Sequence, residues 1–92
     1  MTRIKVKEIV FDAWNIKHVR KHNVKPEEIF EAARNLIYHR VTYKNRYLAI
    51  GISEKRLITL ILKRENTGRY YLVTARDASK KEREKIYAKQ KK

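Results

Sequence analysis

The chain has no cysteine, one proline and two glycines. Without cysteine there are no disulfides and no thiolate metal sites, which fits a reducing compartment. Gly51 and Gly68 stand too far apart to build a phosphate-cradling loop. No HExxH pair and no nucleophile elbow occurs. Long apolar runs are missing as well. The longest, Leu57 to Leu62 with Thr59 inside it, falls far short of the roughly 20 residues a bilayer helix needs. The N-terminus, with Arg3, Lys5, Lys7 and Glu8, lacks the apolar stretch of a signal peptide. The C-terminal segment offers chiefly Ile86, Tyr87 and Ala88 as apolar contacts, too thin a stripe to enter a membrane surface. A cytoplasmic protein with no membrane partner is expected.

Negative charge is also scarce. Ten acidic residues face 24 basic ones, for a net charge of +14 and a pI near 10.3. Charge of this size speaks to partners rather than fold. Nucleic acid, an anionic surface or an acidic protein are the partners it suits. The chain's 92 residues suffice for one core, so residues 1–92 are read as a single domain.

What is present is periodic. Residues 3 to 11 alternate, with Ile4, Val6 and Ile9 against Arg3, Lys5 and Lys7, as a strand would. Asp12 can cap a helix over about Ala13 to His22. Asn23 suits the left-handed position that stops it. Pro26 opens a second helix, with Glu27 and Glu28 favourable at its N-terminal dipole. Ile29, Phe30, Ala33, Leu36 and Ile37 make its core-facing stripe. The period then becomes two. Tyr38–Tyr43, Arg46–Ile52, Lys55–Lys63 and Arg69–Arg76 read as strands joined by short polar breaks. Such joints make an antiparallel meander. The run Leu57–Leu62, apolar on both faces, predicts a central strand covered on both sides. Ser79 with Glu82 forms a capping box that starts a helix to about Lys89. The fold class is α+β in the order β-α-α-β-β-β-β-α: a meander sheet packed on two N-terminal helices, with a C-terminal helix.

The chemistry centres on the basic surface. Arg40, Lys44 and Arg46 cluster at the first hairpin, Lys55 and Arg56 at the next, and Arg69 and Arg76 frame the last strand. Arginine grips phosphate bidentately, and tyrosines such as Tyr43 and Tyr70 can stack on unpaired bases. Strict alternation in strand 69–76 puts Tyr70, Leu72, Thr74 and Arg76 on one face, which predicts that Tyr70 and Arg76 look out together. Trp14, His18 and His22 recur at i, i+4 and i+8 on the first helix. The histidine spacing can hold zinc, but a third ligand would have to be His39 or a carboxylate, so no metal and no cofactor is expected. Either histidine can instead serve as a general acid or base, or contact RNA phosphate.

Three stretches in this order resemble the BrnT-like toxin family. They are Phe11-Asp12-x-Trp14-x-x-Lys17-His18-x-x-Lys21-His22-x-Val24-x-Pro26-Glu27-Glu28, then Arg46-Tyr47-Leu48-Ala49-x-Gly51, then Val73-Thr74-Ala75-Arg76-Asp77-Ala78-Ser79-x-x-Glu82-Arg83. Asn23 and Lys25 stand where that family usually has glycine and a Thr or Ser cap. The resemblance implies a fold similar to the RelE-type ribonuclease toxins. It implies RNA cleavage that inhibits translation, and a cognate antitoxin, typically of the ribbon-helix-helix type. A homodimer and a toxin–antitoxin heterotetramer both stay open. Metal-independent attack by the ribose 2′-OH would need charge stabilisation, for which Arg76 and Arg46 are the candidates, and proton transfer, for which His22 and Lys17 are. Tyr70, Tyr43, Arg40, Lys44, Arg56 and Arg83 are the candidate RNA contacts. A non-catalytic RNA- or DNA-binding module needs only the basic, tyrosine-rich face and is the alternative.

Overall fold

The computed structural model describes residues 4–42 and 44–90. Along them run β1 (Glu8–Val10), α1 (Ala13–Arg20), α2 (Pro26–Arg34), β2 (Leu36–Val41), β3 (Arg46–Ser53), β4 (Arg56–Asn66), β5 (Arg69–Asp77) and α3 (Lys80–Gln90). The fold is α+β with the expected element order. The five strands form one sheet in the order β1-β5-β4-β3-β2. β2 to β5 are the antiparallel meander, and β1 adds in parallel at the β5 edge, with Ile9 opposite Tyr70. No helix among the described residues is long and apolar enough to cross a membrane.

Local signals set the helix starts. Asp12 accepts from the Asn15 N–H at 2.8 Å, and the Asn15 side chain accepts from the Asp12 N–H at the same distance. Ser79 and Glu82 close the same kind of box. Asn23 takes φ 57° and ends the α1 turn. Lys25 cannot accept a hydrogen bond, so α2 relies on Pro26 and on the Glu28 carboxylate, which takes the Lys25 N–H at 3.0 Å.

The sheet has two covered faces. On one, Val19, Val24, Ile29, Ala32 and Ala33 from the α1–α2 layer meet Ala49, Ile58, Leu60, Leu62, Leu72 and Ala75. On the other, Ala78 and Ile86 pack on Leu48 and Ile50. β4 is therefore covered from both sides, as its double apolar pattern predicts. The closest approach is at Gly51, where a Cβ would sit 1.9 Å from the Ala32 carbonyl oxygen. Helix α2 lies with its own backbone on β3 at that point.

Four expectations change. β1 covers three residues rather than nine, because Lys7 and Glu8 already give their N–H groups to the Gly68 carbonyl and Asp12 then starts α1. Leu36 and Ile37 begin β2 instead of continuing α2. Asn35 exchanges hydrogen bonds with Ile52, its carbonyl accepting at 3.2 Å and its side-chain amide donating at 3.3 Å. The sheet edge thus captures the chain one residue past the helix. Phe30 is exposed and packs on Phe11, with ring centroids 5.3 Å apart, while Ala32 takes the core position.

The last change governs the site. Opposite β5, Ile61 pairs with Thr74 but the next residue, Leu62, pairs with Leu72. Val73 is the extra residue of a β-bulge. The alternation resets there. Tyr70 and Leu72 point into the α1–α2 core, and Arg76, opposite Thr59, points to the α3 side.

Candidate nucleic-acid interface

The register places cations from four adjacent strands on the α3 side of the sheet. Arg40 of β2 stands opposite Leu48, Arg46 of β3 opposite Lys63 of β4, and Arg76 of β5 opposite Thr59. Each shares its face with Leu48, Ile61 or Ile50 by strand alternation. Helix α3 covers only part of this face. The end that carries Arg40, Arg46 and Lys63 lies beyond it, and Lys44 sits in the hairpin turn at that end. Lys44 and Asn45 take φ 57° and 60°, the left-handed region that tight turns draw on. Among the described residues, none forms an ion pair with Arg40, Arg46 or Lys63.

Arg76 occupies the other end, under α3. Its guanidinium grips Glu82 with two bonds, 2.8 Å to Oε1 and 3.1 Å to Oε2. The same carboxylate accepts from the Thr59 hydroxyl at 2.9 Å and the Ser79 N–H at 2.8 Å. Burial alone would push the Glu82 carboxyl up. Arg76, Ser79 and Thr59 outweigh it and hold the group down at about 2. Beside this latch, the Thr74 hydroxyl oxygen is buried without a hydrogen-bond partner. Lys85 ties the far side of α3 to β2, donating to the Tyr38 hydroxyl at 2.8 Å.

Arg46 and Arg76 therefore share a face but not a point. The rows they belong to are four β4 residues apart, Lys63 against Thr59, or about 13 Å along the strand. That spacing suits two positions on one bound strand rather than a single phosphate.

The other expected site residues lie elsewhere. His22 and Lys17 belong to the α1 segment, on the opposite side of the sheet from Arg76, so the proton-transfer pair does not join the arginines. Tyr70 is buried, 4% exposed, and meets Tyr47 edge-on at 5.9 Å, so its ring is not open to a base. The bulge at Val73 is the cause. Arg56 points to the α2 side. There it bridges Glu28, at 2.8 Å, and Asp77, joining the α2 start to the ends of two strands. The bond to Asp77 raises its pKa further above the ordinary arginine value. Arg83 lines a cavity of about 440 Å³ with Glu28, Arg56, Asp77 and Tyr87, away from the Arg40–Arg46 end. Tyr43 lies outside the described residues.

Lys63 is the member that sequence reasoning missed. The signal was the turn. A two-residue loop at Glu54-Lys55, with Ser53 paired to Arg56, fixes which β4 residue faces Arg46. Placing the break one residue earlier loses that partner. Among the described residues no three histidine or acidic side chains come together in a way that would hold a metal ion. Comparison with protein-family models, curated proteins and solved structures finds no match for the chain.

Proposed function

We propose that this protein is a small ribonuclease toxin that binds RNA across the α3 side of its sheet. The observation that carries this reading is the row of cations from four adjacent strands, three of them unpaired among the described residues. Like charges gathered at one end of a sheet face repel one another, and a polyanion lying across them relieves that repulsion. Phosphates spaced along a strand match the spread from Arg46 to Arg76. The resemblance to BrnT-like sequences adds the activity, RNA cleavage by the ribose 2′-OH, and the partner, a ribbon-helix-helix antitoxin in the same cytoplasm. In this scheme one of the two arginines stabilises charge on the phosphorane and the other holds a second phosphate of the same strand. Without an imidazole on that face, the RNA's own ordered geometry supplies much of the rate.

The test is incubation of purified protein with total RNA, with and without chelator, beside Arg46→Ala and Arg76→Ala. Cleavage that survives chelation and leaves cyclic-phosphate ends is expected, with each variant slower by about 10² or more. Equal cleavage by wild type and Arg76→Ala removes Arg76 from the mechanism. A second reading, a non-catalytic RNA- or DNA-binding module, is favoured by the separation of His22 and Lys17 from the arginines. It predicts intact RNA with salt-sensitive binding.

A further inference from the structure

Helix α1 carries a feature that the cationic sheet face does not use. Trp14, the chain's sole tryptophan, is 60% exposed. Its indole lies flat against His18, with ring centroids 5.1 Å apart and planes within 6°. His22 continues the ladder edge-on at 5.6 Å. Scattered exposed aromatics need no explanation. Here three rings follow one another along α1 and the turn that ends it, and the outermost is the most apolar. From Ala13 to Lys25 there is no acidic residue and there are four lysines and arginines. Lys17 and Lys21, three and seven residues after Trp14, run along one side of the ladder on the helical wheel. The nearest carboxylate, Asp12, is engaged with the Asn15 N–H and the Tyr71 hydroxyl.

We infer that the outer face of α1 is a stacking platform for single-stranded nucleic acid, with Trp14 receiving an unpaired base and Lys17 and Lys21 its flanking phosphates. An indole already held in plane by His18 spends little conformational freedom on binding. A base can add to its open side as the next ring of the stack, and stacking of this kind tolerates any base. The charge on the helix selects a polyanion over an apolar protein surface. The platform lies on the opposite side of the sheet from Arg46 and Arg76, and it does not depend on cleavage.

The test uses Trp14 as its own reporter. A 12-nucleotide single-stranded DNA of mixed sequence lacks the 2′-OH, so cleavage does not enter. Titration is expected to quench Trp14 emission saturably, and Arg46→Ala with Lys63→Ala leaves that quenching in place. With the sheet face disabled by Arg46→Ala and Lys63→Ala, anisotropy of the labelled oligonucleotide is expected to show the added Trp14→Ala binding about 5- to 150-fold more weakly, with Trp14→Tyr in the same background retaining most of the affinity. Should Trp14→Ala fail to fold by circular dichroism, Trp14→Leu keeps apolar bulk without a π-face and gives the same comparison. Binding with Trp14 emission unchanged overturns the proposal and leaves the oligonucleotide to the sheet face. Absence of any binding overturns both. Emission that changes with protein concentration alone assigns the ring to a contact between copies of the chain and also overturns it.

Discussion

At the scale of single residues, Glu82 does more than start a helix. Its carboxylate receives four hydrogen bonds, from Thr59, Ser79 and both terminal nitrogens of Arg76. Its pKa falls from 4.5 to about 2. A carboxyl with a lower pKa folded than unfolded stabilises the fold above its unfolded value, and that contribution is lost as pH drops through the folded one. The window therefore runs from about pH 5 down to about pH 2. Replacement by glutamine keeps the shape and loses the charge opposite Arg76. Glu82→Gln is expected to cost about 1–3 kcal/mol at pH 7 and almost nothing at pH 2. Asp12, Glu28 and Asp77 are also lowered and contribute to acid sensitivity in both proteins. The difference between the two urea-denaturation series isolates Glu82. A constant difference from pH 7 to pH 2 would show that the carboxylate's charge does not matter to the fold.

At the scale of elements, the contact between α2 and β3 is set by one missing side chain. At Gly51 an added Cβ would overlap the Ala32 carbonyl, which is main chain and cannot rotate away. Gly51→Ala must push the helix off the sheet, opening the layer around Ile29, Ala49 and Ile58. The cost is expected at about 3 kcal/mol or more, against a total stability of about 5–15 for a domain of this size. Trimming the helix with Ala32→Gly does not restore it. Calorimetry of the single and double variants checks both statements, and an unchanged melting temperature in Gly51→Ala would contradict the packing described. The elements themselves were legible in the chain. Asp12, Pro26 and the Ser79–Glu82 box mark helix starts by local hydrogen bonding, and local chemistry is what a sequence displays. The end of α2 was not legible, because Leu36 and Ile37 continue its helical spacing and only the edge of β3, distant in sequence, draws them into a strand. The bulge at Val73 was hidden for the same reason. Nothing in Leu72-Val73-Thr74 distinguishes strict alternation from a reset; the cores on the two sides of the sheet decide it. That single skipped residue separated Tyr70 from Arg76 and made half of the candidate site unreadable in advance.

At the scale of the whole molecule, a net charge of +14 draws any polyanion, so binding alone does not locate a site. The salt dependence does. Each phosphate neutralised on a single strand contributes about −0.7 to the slope of log affinity against log salt. If Arg40, Arg46 and Lys63 act as one surface, replacing all three by alanine removes about 2 from the magnitude of that slope. All three lie at strand positions open to solvent at least in part, so the fold tolerates the change. A control triple of equal charge on another surface, Lys7→Ala, Arg34→Ala and Lys55→Ala, lowers the net charge by the same amount. If long-range attraction were all that mattered, the two triples would shift the slope alike. The expected result is a loss near 2 for the sheet triple and less than half of that for the control, measured by anisotropy with a short single-stranded oligonucleotide from about 50 to 200 mM salt. Equal slopes would reduce the cationic row to general charge and leave the sheet face without a ligand.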